Sequence, residues 1–444
     1  MSTDAPDGYG GAPMAPSYFP ERGNDGYRVE HYDLVLDYRV GPNHLGATAR
    51  LAALSDRPLT SFTLDFGALR IGRVSLDGKP VRYAHRGEKL RVTPARPIPA
   101  GERFTVEVHY GGNPKPSASP FGEIGWEQLT DGSLVAGQPI GAPSWFPCND
   151  RPDHKSTFRF AVSTASPYHV VANGRLIDKS HGGSTSTWTY DETAPMATYL
   201  ATVQIGHYEP AALPGTVPQL LVGPRRLTAQ ALTCFAKQQR MMEVFTDRFG
   251  PYPFDAYAVI VVDDELEIPV EAQGMSVFGT NHVDGSEGYE RLIAHELSHQ
   301  WFGNSLTLAD WRDIWLHEGF AAYSEWIWSE ASGGRSADEL AAHWYRKLAG
   351  QPQDLKVGDP GRKKLFDDRV YKRGALTVHA LRRELGDEQF FGLLRRWTAE
   401  NRHGTVSTAG FLALAGQIAG RSLGGLLESW LYSVKLPLLA GSAR

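Results

Sequence analysis

The chain of 444 residues is longer than one compact core ordinarily supports, so two domains are expected. Its 41% hydrophobic and 21% charged content is that of an ordinary soluble globular protein, and a formal net charge of -5 without a dense Lys/Arg cluster argues against a nucleic-acid partner. The absence of any run of about 18 apolar residues argues against a membrane span, and two cysteines, Cys148 and Cys234, with no signal-peptide pattern, point to a reducing, cytoplasmic setting.

Residues 1–24 are rich in Gly, Pro, Asp and Ser and read as a flexible tail, with too little apolar surface to offset the entropy of ordering. From residue 25 to about 212 a period of two dominates. Apolar side chains alternate over 31–38, and further strands are expected at 45–54, 59–66, 104–110, 157–163 and 198–206. Residues 74–76 and 81–83 flank Asp77-Gly78, a hairpin-turn signal, and Asn173-Gly174 marks a turn inside 169–177. These runs predict a β domain of antiparallel pairs. Residues 211–218, with Pro and Gly, read as a linker.

Beyond the linker the period changes. A helix is expected over 227–249, stopped by Gly250-Pro251, then a short apolar strand at 256–262 and an acidic loop at 263–267. Helices follow around 292–302 and at 315–328, 337–347, 374–385, 388–400, 409–418 and 426–432. Residues 213–444 therefore read as an α-rich domain with a small sheet at its start.

The chemistry concentrates in His295-Glu296-Leu297-Ser298-His299. Residues four apart share a helix face, so His295 and His299 can point at one metal ion. Glu296 is then placed to take a proton from a water activated by that metal. The bland reading of this motif alone is two polar residues on a solvated helix face. A hydrolytic zinc site wants a third protein ligand, and Glu318 offers it: eighteen residues after His299 leave room for a turn and a returning antiparallel helix.

This joint pattern, with Trp301-Phe302-Gly303-Asn304 and Trp315-Leu316-His317-Glu318-Gly319-Phe320-Ala321, resembles the gluzincin zinc aminopeptidases of the aminopeptidase N and leukotriene epoxide hydrolase type. The resemblance implies a multidomain β + α/β protein. An N-terminal antiparallel β-sandwich or saddle domain would precede a thermolysin-like, mostly helical catalytic domain holding one Zn2+ per chain on His295, His299 and Glu318. Val370-Tyr371-Lys372-Arg373-Gly374-Ala375 is similar to the family's Val-Tyr-x-Lys-Gly-Ala, with Arg373 in place of Lys, and implies that Tyr371 donates to the oxyanion. Residues 145–152, with Lys155 and Phe158, are similar to the Phe-Pro-Cys-x-Asp-x-Pro block and imply a structural join between the β domain and the cleft. Gln138 matches a glutamine that lines the pocket for the substrate's first residue.

One segment departs from the family. Where Gly-x-Met-Glu-Asn is usual, this chain has Ile268-Pro269-Val270-Glu271-Ala272, which keeps only the Glu that would grip a substrate's α-amino group. Glu325 and Asp313 are candidates by position to hold the ligand imidazoles, and His317 reads as a packing residue. The end at Arg444 implies a compact form without the C-terminal helical domain of larger members, and a more open cleft. The expected function is a metallo-aminopeptidase that removes N-terminal residues from peptides. The alternative is a hydrolase of a small-molecule epoxide or amide at the same site. A dead scaffold would lack a ligand or the base, and none is missing.

Overall fold

In the computed structural model, which describes residues 18–286 and 288–439, the period-two segments fold into strands whose alternate side chains are buried. Tyr27–Arg39 pairs antiparallel with His44–Ser55, burying Leu34, Leu36, Leu45 and Leu51. These strands are central to an eight-stranded sheet ordered Arg175–Gly182, Thr185–Ala197, Lys155–Ala165, Tyr27–Arg39, His44–Ser55, Arg103–Gly112, Arg70–Leu76, Lys79–Pro80. Its pairing is not wholly antiparallel: Tyr27–Arg39 and Lys155–Ala165 run parallel. Alternation reports which face a residue occupies but not strand direction, so this pair was invisible in the sequence.

A second, five-stranded sheet is ordered His169–Ala172, Val203–Gly206, Gly132–Ala136, Gly122–Leu129, Ser117–Ser119. The Asp77-Gly78 turn forms as expected, with φ of 50° and 76°, the left-handed pair a two-residue hairpin needs. Asn173-Gly174 instead carries the chain between sheets. His169–Ala172 pairs with Val203–Gly206, whereas Arg175–Gly182 pairs with Thr185–Ala197. A Cβ on Gly174 would lie 2.3 Å from the Asp191 carbonyl oxygen, so the crossing requires glycine.

Two expectations change at the domain edges. The tail expected over residues 1–24 falls largely outside the described residues, but its described end is packed. Phe19 is buried edge-on against Trp311, and the buried Arg22 pairs with Glu88 at 2.7 Å. The segment 211–218 is the end of a strand and a hairpin loop over 214–218, since Glu209–Leu213 and Gln219–Gly223 pair antiparallel across it. That hairpin opens a mixed sheet ordered Glu209–Leu213, Gln219–Gly223, Tyr257–Val261, Met275–Phe278, Val270–Ala272.

The described residues then form α1 (Thr228–Cys234), α2 (Gln238–Phe249), α3 (Glu290–Ser298), α4 (Trp315–Ala331), α5 (Ala337–Ala349), α6 (Asp368–Leu385), α7 (Asp387–Glu400), α8 (Thr408–Ala419) and α9 (Gly424–Leu431). The single helix expected over 227–249 breaks at residues 235–237, where Phe235 turns inward onto Phe278. Gly250, at φ 98°, ends α2. α4 and α6 cross at glycine on glycine: a Cβ on Gly374 would sit 2.7 Å from the Gly319 Cα. Both cysteines are buried and unbridged, and among the described residues no helix is long and apolar enough to cross a membrane.

Candidate metal centre

α3 carries His295 and Glu296 and ends at Ser298, so His299 caps the helix instead of lying within it. The chain then turns back in a tight loop. Asn304 N–H donates to His299 O, Ser305 N–H to Gln300 O, and Leu306 N–H to Trp301 O. Gly303, at φ 135°, permits this return, and a Cβ there would press within 3.3 Å of His299 Nδ1. Trp301 anchors the loop through its indole N–H, which donates to Gly250 O at 3.0 Å.

α4 brings Glu318 back to the histidines. His295 Nε2 and His299 Nε2 lie 3.4 and 3.5 Å from Glu318 Oε2. Three ligand atoms about 2.0–2.1 Å from a tetrahedral zinc lie about 3.4 Å apart, so the spacing fits that ion. The other ring nitrogens are fixed, as metal-binding imidazoles require. His295 Nδ1 is 2.9 Å from Glu325 Oε1, and His299 Nδ1 is 3.0 Å from Phe302 O.

The electrostatics favour a cation. Burial alone would push His299 down, but the Glu318 and Glu271 carboxylates reverse this and hold it at about 10. Burial likewise opposes ionisation of Glu318, yet His299 and His295 draw it well below the usual carboxylate range. Glu325 is also buried and still falls to about 2, held by His295 and Lys372. Glu296 goes the other way: burial raises it to about 7, and its Oε2 has no hydrogen-bond partner.

Glu271 lies on the edge strand Val270–Ala272, and one of its carboxylate oxygens falls within 4.8 Å of ligand atoms of Glu296 and His299. The loss of the usual neighbours does not release this strand. Ala272 O accepts from Gln300 Nε2 at 3.1 Å and Asn304 Nδ2 at 2.9 Å, both immediately beyond the histidines. Tyr371 enters from α6, its ring 6.0 Å from that of His295 and nearly parallel to it. Burial and the surrounding carboxylates push its hydroxyl well above the usual tyrosine value, so it keeps a proton to donate. Gln138 follows the strand Gly132–Ala136, and its buried Nε2 has no hydrogen-bond partner.

Of the two carboxylates weighed as supports for the imidazoles, only Glu325 touches one. Asp313 instead accepts from Thr408 Oγ1 at 2.7 Å. His317 is a packing residue, its Nε2 accepting from Leu308 N–H at 3.0 Å. Three neighbours escaped the sequence reading. Arg291 and Lys372 flank Glu325 at 3.0 and 3.6 Å. Gln300 clamps the hairpin that carries Glu271, also accepting from Gly274 N–H at 2.8 Å. Arg291 stands one turn before His295, a spacing that hinted at its role.

Known proteins match both halves of the chain. The profile of the peptidase M1 N-terminal domain matches residues 28–200, and that of the peptidase family M1 domain matches residues 234–430. A crystal structure of an M1 zinc metallopeptidase from Deinococcus radiodurans superposes with a TM-score of 0.89 at 30% identity, covering 97% of this chain and 99% of that one. A variant of it bound to a Tyr-Ser-Ala substrate gives 0.88 at 30% identity, over 96% and 98%. Endoplasmic reticulum aminopeptidase 1 of Homo sapiens is 24% identical over 81% of this chain, and leucyl aminopeptidase of Saccharolobus solfataricus 22% over 93%. This chain spans 42% and 54% of the lengths of those two relatives.

Proposed function

The chain belongs to peptidase family M1, and we propose that it is a zinc-dependent aminopeptidase with His295, His299 and Glu318 as ligands of one Zn2+. When bound, zinc supplies a Lewis acid that polarises the scissile carbonyl and lowers the pKa of a water. Glu296, a carboxylate raised to about 7 by burial, accepts that water's proton and returns it to the departing amine. Tyr371 donates its phenolic proton in a hydrogen bond to the developing oxyanion. Glu271 receives the substrate's ammonium group, and Gln138 lines the pocket for the first side chain.

The observation that supports this reading most is the nearness of Glu271 to the base and a ligand, all within 4.8 Å. A carboxylate so close to the scissile position leaves room for one residue of a peptide whose chain begins there. The zinc-loaded protein is therefore expected to release amino acids from unblocked short peptides and to spare their N-acetylated forms. Equal cleavage of both would rule out the amine anchor. Glu296→Gln is expected to lower kcat by about 10^2- to 10^4-fold. Turnover of epoxides or small amides without aminoacyl activity would instead support the small-molecule alternative.

A further inference from the structure

A cavity of about 760 Å³ opens between the β half and the catalytic half, away from the residues of the metal centre. Sites for small molecules run from about 300 to 1,000 Å³. Its walls come from strands of both halves, and none of His295, Glu296, His299, Glu318, Glu271 or Tyr371 reaches it. Trp188 and Phe254 line it, with Leu176 and Leu220, whose side chains are left 42% and 46% exposed. Trp188 is itself buried, and its indole N–H has no acceptor.

Against this apolar wall stands Glu192, only 5% exposed. It accepts from Ala194 N–H at 2.8 Å and from the side-chain amide of Gln273. Among the described residues it forms no ion pair: the buried Lys155 is near enough to feel its charge, but its ammonium is turned to the carbonyls of Asn304, Ser305 and Gly404. Arg175 and Arg402 line the same cavity, but Arg402 donates to Pro253 O at 2.7 Å and neither pairs with Glu192. Asp255, on the same lining, adds negative charge. A buried carboxylate without a direct ion pair is costly, and a cation that reached it would lower that cost. Burial accordingly pushes Glu192 up to about 7.

We propose that this cavity is a second ligand site, taking a small apolar primary amine whose ammonium group meets Glu192 and whose hydrocarbon part lies against Trp188, Leu176, Leu220 and Phe254. An acid would meet like charge at Glu192, and an alcohol would leave the carboxylate without a counter-ion. Both are expected to bind at least tenfold more weakly.

The test is calorimetric titration of hexylamine into the zinc-loaded protein, with hexan-1-ol and hexanoate as controls. Two variants address the cavity. Glu192→Gln removes the charge, and Ala212→Trp fills the space from an exposed wall position. Glu271→Gln addresses the metal centre, where an amine could also bind. We expect a saturable component that is retained in Glu271→Gln and weakened at least tenfold in both cavity variants. No saturable component, or one lost only in Glu271→Gln, would overturn the proposal. If Glu192→Gln fails to fold, Ala212→Trp decides between these outcomes, with its melting curve as the check of integrity.

Discussion

Glu325 is the point at which several charges of the metal centre meet: it accepts from His295 and stands beside Arg291 and Lys372. Glu325→Gln keeps an acceptor for the ring but removes the charge that fixes its tautomer. Zinc affinity is expected to drop by about 10- to 100-fold in chelator competition. An unchanged affinity would make Glu325 a merely structural carboxylate. A second prediction concerns Asp150, whose carboxyl burial raises from 3.8 to about 7. The folded state therefore holds this proton more tightly than the unfolded chain. The stability it contributes is complete below about pH 4 and is lost as pH rises through 7. Asp150→Asn keeps an acceptor for Thr198 Oγ1 and removes that loss. Its melting temperature should match the wild type near pH 4 and exceed it by several degrees at pH 8, a difference on the order of 4 kcal/mol. A wild-type advantage at pH 8 would contradict this. At this scale the sequence was most informative where spacing over one helical turn decides geometry, as for His295 in α3 and His299 at its cap. It was least so for Lys372, which meets Glu325 only because α6 packs on α4. Asp313 had the same claim by position as Glu325, and only the fold turned it towards Thr408.

Two helices hold the centre in register, and they touch through glycine. Gly319 follows Glu318, and Gly374 lies three residues after Tyr371, so the closest approach of α4 and α6 sets how far Tyr371 stands from the proposed metal ligands. Gly374→Ala would insert a methyl 2.7 Å from the Gly319 Cα, a contact that only a shift of the helices can relieve. Overpacking of this kind costs about 1–3 kcal/mol. Because Tyr371 moves with α6, kcat is expected to fall at least tenfold while zinc affinity changes little, as read from steady-state kinetics alongside chelator titration. Equal losses in both would mean general unfolding. The existence of these helices was readable from period and stop signals, but their crossing was not. A glycine inside a helix pattern signals only that something comes close, not what. Arg373 was legible as a departure, and its reason is tertiary. Its guanidinium donates to carbonyls beyond α6, Trp430 O at 2.9 Å and Val434 O at 2.9 Å among them, and so ties the end of α9 to the helix of Tyr371.

Over the whole molecule the β half does more than stand beside the catalytic half. Lys155, at the start of Lys155–Ala165, donates from Nζ to Asn304 O at 3.0 Å, Ser305 O at 2.8 Å and Gly404 O at 3.3 Å. The first two carbonyls belong to the loop that turns back after His299. Asn173, at the crossing between the β sheets, donates to Gln273 O at 3.0 Å, beside the strand of Glu271. Lys155→Met leaves these carbonyls without their donor. It is expected to cost on the order of 2 kcal/mol in urea unfolding and to weaken zinc binding at a site it never touches. Loss of stability with zinc affinity intact would confine Lys155 to the join. The order of the sheets and the cavity between the halves were beyond the sequence, because they arise from strands as distant as 169–172 and 219–223. Lys155 also bears on engineering. A β half grafted in place of this one is expected to need a donor at this register, or the loop after His299 loses its tie. The two halves thus meet like a lock and its strike plate, with one buried ammonium as the bolt.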